Sequence, residues 1–205
     1  QKRIQQAEQW WKDEAYEWQN KARKLLENWS AEERKILVVY DPEGNHGKTV
    51  FCKKMEDADP DEIAYIKKSK VDGNMSLILR KYSNLKFCMI DYTRDEEKYG
   101  SPKFLESLKD GVVQSNKYHS DILRFPNVQV AVMTNKPLIW STLTRDRWHV
   151  VELSGGLEPT LREWSTKEFN NAYNACLLDV KESGIENYFT RGEKRHIEKN
   201  TGDDF

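Results

Sequence analysis

Gly44, Gly47, Lys48 and Thr49 fall within a span of six residues. Residues of these types at this spacing can hold a phosphate. Main-chain N–H groups of a glycine-containing loop, together with those opening a helix, point at the anion, and the helix dipole favours it. Lys48 would then reach the β- and γ-phosphates of ATP, and the Thr49 hydroxyl would sit on Mg²⁺. The strict pattern G-x-x-x-x-G-K-[ST] is not met, because Pro42 stands where its first glycine belongs. Gly44 supplies an alternative flexible point, so the cradle reads Gly44, Asn45, His46, Gly47, Lys48, Thr49. The competing reading is a chance loop that happens to contain Gly-Lys-Thr.

Three further polar positions could complete such a site. Asp91 ends the apolar run Phe87-Cys88-Met89-Ile90, and a carboxylate there can hold Mg²⁺ through water, although many buried strands end in Asp. Tyr92 occupies the next position, where a second acid is wanted, leaving Asp95, Glu96 and Glu97 as nearby candidates for polarising water. Asn135, at the end of Val128–Thr134, could sense a γ-phosphate or simply cap the turn before Pro137. Arg145 and Arg147 flank Asp146 just before another apolar run. They could stabilise transition-state charge in a neighbouring subunit or form a surface ion pair.

Positioning these residues requires strands that alternate with helices. Ile36–Tyr40 reads as a buried parallel strand feeding the loop, with a helix to about Glu56. Strands are expected at Phe87–Tyr92, Val128–Thr134 and Trp148–Leu153, with a weaker one at Glu62–Ile66. Helices are expected near Asn74–Tyr82, Pro102–Lys109, Lys136–Leu143 and Thr160–Glu182. That alternation predicts an α/β fold with a mostly parallel sheet covered on both faces. Residues 1–29 contain neither Gly nor Pro and read as helix with apolar faces carrying Trp10, Trp11, Trp18, Leu25, Leu26 and Trp29.

Composition bounds the rest. In 205 residues, 38% hydrophobic and 33% charged with a net charge of −1, nothing global announces nucleic acid, so a DNA-binding surface would be local. No run approaches the ~18 apolar residues of a membrane helix, and no membrane partner is expected. Cys52, Cys88 and Cys176 are scattered, which argues for a reducing compartment and against a disulfide scaffold or a zinc site. The chain opens on Gln1 rather than Met. It is read as a fragment or a processed product, with a partner domain expected upstream.

Taken in order, these segments resemble the superfamily 3 helicase domain of the replication-initiator (Rep) proteins of circular Rep-encoding single-stranded DNA viruses. Tyr40 to Thr49 resembles Walker A, and Met89 to Arg94 resembles Walker B. Glu106 to Gly111 with Lys117-Tyr118 resembles the B′ motif, Met133-Thr134-Asn135 motif C, and Thr144 to Trp148 the arginine-finger segment. The similarity covers about residues 15 to 155.

The resemblance implies an AAA+-like P-loop NTPase with a five-stranded sheet in the order 5-1-4-3-2. It also implies a ring, usually a hexamer, driven by ATP and Mg²⁺ in the 3′ to 5′ direction on single-stranded DNA. Asn135 would sense the γ-phosphate. Arg147 would act across the subunit interface, with Arg145 the second choice because the pattern centres on Asp-Arg-Trp. A loop and hairpin over about Asp110–Arg124 would enter the channel, and Lys109, Lys117, Tyr118 and His119 would reach the DNA.

On this reading residues 1–32 form a helical oligomerisation segment, although docking onto the chain's own core fits their pattern as well. Residues 33–155 form the ATPase core, 156–190 a helical segment and 191–205 a polar tail. A degraded, non-hydrolysing DNA-binding scaffold is the alternative. Full members carry an upstream nicking endonuclease domain with a His-x-His motif. No His-x-His occurs here, and the Tyr82/Lys86 spacing is a coincidence, so nicking is not expected of this chain. The expected location is the host nucleus for a eukaryotic virus and the cytosol otherwise.

Overall fold

A computed structural model describes residues 1–30, 34–67, 79–92, 102–114 and 122–183. The fold is α/β around a mostly parallel sheet of six strands. At its centre lies β1 (Ile36–Tyr40), an unbroken apolar strand. Such a run suits a position buried on both faces. It is flanked in parallel by β6 (Gln129–Thr134) and β7 (Trp148–Ser154). Outside β6 lie β3 (Phe87–Asp91) and then β2 (Ile63–Lys67), both parallel. The register pairs Tyr40 with Thr134, and Asp91 with Met133. The loop after β1, Asp91 and Asn135 therefore emerge at one edge of the sheet, at the carboxyl ends of its strands, where open α/β sheets bind ligands.

Side chains alternate across the sheet. Ile36 and Val38 join the core beneath α4 (Pro102–Lys109) and α5 (Thr166–Ser183), while Leu37 and Val39 face α1 (Lys2–Asp13), α2 (Glu17–Asn28) and α3 (Lys48–Ala58). Trp11, Trp18, Ala22 and Leu26 are buried in that second layer, so the amino-terminal helices pack on the chain's own sheet. The continuous helix expected over 1–29 is two helices. The break falls at Glu14–Tyr16, where Tyr16 turns extended (ψ 154°) to cap α2.

Strand count and order differ from the expected five in 5-1-4-3-2. The observed order is β2-β3-β6-β1-β7-β8. One source is β8 (Thr160–Glu163), antiparallel to β7 and formed from residues expected to begin a helix. Gly155 (φ 98°) turns the chain back at that point. Helix starts only after Ser165, whose N–H donates to the Glu168 carboxylate at 2.8 Å and whose Oγ accepts from the Glu168 N–H at 3.2 Å, a capping box. The other source is β4 (Val112–Gln114) and β5 (Ile122–Arg124), which take two places in chain order and pair only with each other. The helix expected over Lys136–Leu143 is a single 3-10 turn at Trp140–Thr142. Pro137 disfavours helix in the residue before it, and Trp140 is instead buried against Trp148. Most of the helix expected at Asn74–Tyr82, and the tail 191–205, lie outside the described residues. Among the described residues no helix is long and apolar enough to cross a membrane.

Gly111 closes the β4–β5 ribbon. Its φ is 67°, and a Cβ there would stand 2.4 Å from the Phe125 carbonyl oxygen. Gly111→Ala adds left-handed strain to a clash with main chain, so a loss of about 2–4 kcal/mol is expected. Urea unfolding checks this, and an unchanged midpoint would contradict it.

Candidate nucleotide-binding site

The loop after β1 passes through left-handed conformations at Gly44 (φ 78°), Asn45 (φ 66°) and Gly47 (φ 81°). Glycine and asparagine are the residues that tolerate these angles. Gly47 is the N-cap of α3. The N–H groups of the first turn therefore have no acceptor within the helix, and they carry the positive end of its dipole. A cavity of about 370 Å³ opens at this point, lined by Asn45, Gly47, Lys48, Thr49, Val50, Asp91 and Asn135. Residues separated by up to 90 positions in the sequence thus meet at one cavity, held by the register of β1, β3 and β6.

Asp41, fully buried, organises the loop from below. Its Oδ1 accepts from the Gly44 N–H at 2.9 Å and lies 2.8 Å from His46 Nδ1, while its Oδ2 accepts from Lys48 Nζ at 2.6 Å. Burial pushes the Asp41 carboxyl up. The Lys48 hydrogen bond and charge, with the Gly44 amide and His46, outweigh it and hold the group below the usual carboxylate range. Lys48 is itself buried, against Asp41 on one side and the cavity on the other.

Thr49 Oγ1 donates to Asp91 Oδ2 at 2.6 Å, and the Tyr65 hydroxyl donates to the same oxygen at 3.2 Å. Adjacent corners of a Mg²⁺ octahedron with 2.0–2.1 Å bonds stand about 2.9 Å apart. The Thr49–Asp91 pair comes close to that span, so the two residues fit a shared cation. Burial and the Asp91 charge push the Tyr65 phenol well up, so it remains a donor. The Asn135 amide lines the cavity and donates to the Asp41 carbonyl at 2.9 Å, so the side chain is tied to the loop as well as exposed to the site.

The chain is similar to viral master replication proteins. It is 28% identical over 130 residues to that of subterranean clover stunt virus (strain F), covering 63% of this chain and 43% of the relative. It is 33% identical over 103 residues to that of banana bunchy top virus, covering 50% and 34%. It is 28% identical over 148 residues to Para-Rep C1 of a milk vetch dwarf alphasatellite, covering 68% and 48%. The chain spans about two fifths of the length of the first of these relatives. No family model matches it. Among solved structures, the NrS-1 C-terminal region aligns over 76% of this chain and 38% of that one, at 16% identity and a TM-score of 0.46, too low to carry an argument.

The arginines lie elsewhere. Trp148 pairs with Ile36 at the opposite end of β1 from the loop, about 16 Å away at ~3.3 Å per residue. Neither Arg145 nor Arg147 is placed beside this chain's own cavity. Arg147 is 4% exposed; its guanidinium donates to the Arg34 carbonyl at 3.4 Å and lies 3.5 Å from Glu106 Oε1. Arg145 is half-buried. It lies over the Tyr173 ring and donates to Asn174 Oδ1 at 2.8 Å. Of the residues expected to reach DNA, Lys109 is 6% exposed, while Lys117, Tyr118 and His119 lie outside the described residues, as do Asp95, Glu96 and Glu97. The strands β4 and β5 stand where the hairpin over Asp110–Arg124 was expected. Tyr82 is buried and donates to Glu56 at 3.0 Å, a structural role.

Asp41 is the residue that sequence reasoning missed, and its titration makes it testable. A carboxyl held below its unfolded value of about 3.9 adds stability above that pH and loses it as pH falls through the folded value. Asp41→Asn leaves Lys48 with an uncompensated charge and is expected to cost about 3–5 kcal/mol at pH 7. The difference from the parent should shrink below about pH 4. Denaturant unfolding from pH 3 to 7 checks this, and a difference that does not change with pH would contradict it.

Proposed function

We propose that the chain is the ATPase domain of a viral replication-initiator protein, an ATP-hydrolysing superfamily 3 helicase module that works as a ring, usually a hexamer, moving 3′ to 5′ on single-stranded DNA. The observation that supports this best is the meeting of Lys48, Thr49, Asp91 and Asn135 at one cavity beneath a left-handed loop. The similarity to master replication proteins favours replication over other uses of such a cavity.

In this reading the loop amides and the first turn of α3 bind the β- and γ-phosphates. Lys48 turns from Asp41 to the phosphates, a short swing because Asp41 and the cavity flank the same ammonium group. Thr49 and Asp91 hold Mg²⁺, which when bound neutralises charge on the β- and γ-oxygens. Asn135, tied to the loop through the Asp41 carbonyl, orients on the γ-phosphate. The distance of both arginines from their own chain's cavity suits a role at a neighbouring subunit. Both arginines have partners in their own chain, but Arg145 is half-buried and Arg147 is 4% exposed, so Arg145 suits that role better. Lys117, Tyr118 and His119, which lie between β4 and β5 in the sequence, are assigned to the DNA backbone and bases, with buried Lys109 preceding them. A nicking domain upstream in the full-length protein would supply origin specificity.

One observation favours a second reading. Tyr92, 3% exposed, fills the position after Asp91 where a second carboxylate is wanted. A module that binds ATP and clamps DNA without turnover would tolerate it. Phosphate release in the presence of single-stranded DNA separates the two, since stimulated turnover belongs to the helicase alone.

Lys48→Ala is expected to lower hydrolysis at least ~100-fold, the scale of removing one charged or hydrogen-bonding group from a transition state. Parental turnover in that variant would remove the assignment. Arg145→Ala is expected to lose DNA-stimulated hydrolysis while keeping ATP affinity. Loss of ATP binding would instead make Arg145 part of its own chain's site.

A further inference from the structure

A loop that turns its N–H groups inward to meet an anion must turn carbonyls outward, and buried carbonyls need donors. The His46 carbonyl finds its donor on α2, and the Gly47 carbonyl, which already accepts from the Phe51 N–H at 2.9 Å as α3 begins, takes a second donor there. Trp18 Nε1 donates to the His46 carbonyl at 3.0 Å, and Gln19 Nε2 donates to the Gly47 carbonyl at 3.1 Å. Both side chains are almost fully buried, at 0% and 1% exposure. The Gln19 amide works at both ends, because its Oε1 accepts from the Tyr16 N–H at 2.8 Å and so caps α2. The approach is close: a Cβ on Gly47 would lie 3.0 Å from Gln19 Nε2 and 3.4 Å from the Tyr16 ring. Trp18 is fixed in turn by the Phe51 ring of α3 at 5.4 Å. The amino-terminal turn of α2 therefore forms the outer wall of the cradle, joined to the two residues immediately before Lys48.

We infer that Trp18 and Gln19 are positioning residues of the nucleotide site, acting through the His46 and Gly47 carbonyls to hold the loop in its anion-binding curl. The inference rests on the proposed nucleotide role of that loop. It gives the amino-terminal helices a function that self-association alone does not supply: their placement sets phosphate affinity. By reciprocity, a filled cradle holds α2 in place with the same coupling free energy. Anything that pulls on the segment before α2 would then be felt at the phosphates.

Two near-isosteric variants separate positioning from packing. Gln19→Glu keeps an oxygen to accept from the Tyr16 N–H, and so keeps the helix cap, but has no N–H for the Gly47 carbonyl. Trp18→Phe keeps an aromatic ring against Phe51 but has no N–H for the His46 carbonyl. Each loses one hydrogen bond to the loop, and the Mg²⁺–ATP Kd measured by calorimetry should rise about tenfold. Gln19→Glu also buries a carboxylate beside the Gly47 carbonyl, so its nucleotide-free melting temperature should fall, and the exchange pattern is the readout that separates positioning from packing. Hydrogen exchange of amides 44–49 without nucleotide should be faster in both variants.

A parental Kd in both variants overturns the inference. So does faster exchange that is uniform across the chain, which would mark a purely structural role. If the parent itself fails to bind nucleotide, the proposed function falls while the tether remains open to the exchange measurement. Selective acceleration at 44–49 would then support it, and unchanged exchange would overturn it.

Discussion

A main-chain phosphate cradle is an unsatisfied object by construction. Its N–H groups must stay unpaired and face one way, its carbonyls must face the other, and the lysine that completes it carries a charge into a largely buried place. Left alone, such a loop would collapse onto its own donors. In this chain the constraint is met from outside and below. Asp41 anchors the Gly44 amide, His46 and Lys48, and α2 takes the His46 and Gly47 carbonyls. The left-handed angles at Gly44, Asn45 and Gly47 are held by these contacts, as local strain generally must be.

The rest of the architecture follows from where that loop has to be. A buried central strand delivers it to the sheet edge, and parallel neighbours deliver Asp91 and Asn135 to the same edge. The second layer, built from Trp11, Trp18, Leu26 and Phe51, is what brings α2 within hydrogen-bonding reach of the loop. The aromatic group of Trp140, Trp148, Trp164, Phe169 and Tyr173, which reaches back to Tyr40 through Trp164, shapes the segment that presents Arg145. Neither arginine of that segment lines the chain's own cavity, which is the separation that the proposed role at a neighbouring subunit requires.

Much of this was legible in the residues because local signals and global fold agree. Ile36–Tyr40 is apolar throughout and is followed by a glycine-containing loop. Phe87–Asp91 and Val128–Thr134 carry their polar groups at the strand end that the parallel register aligns. What was not legible depended on contacts between distant residues. Nothing in the sequence of α2 says that Trp18 and Gln19 touch the loop, since their spacing also fits a self-associating face. Asp41 reads as an ordinary turn residue before Pro42 until three donors converge on it. Tyr65 lies on a weak strand whose register with β3 is needed to place its hydroxyl on Asp91. The strand at Thr160–Glu163 was read as helix because a helix does follow, although the Ser165 to Glu168 capping box marks its true start.

A structure determined with a non-hydrolysable ATP analogue, Mg²⁺ and single-stranded DNA tests the central claim most directly. The account predicts phosphates on the amides of residues 45–49, Lys48 Nζ moved from Asp41 to a phosphate oxygen, and the metal on Thr49 and Asp91. Lys48 still paired with Asp41, with the nucleotide bound elsewhere or absent from a saturated sample, would contradict it.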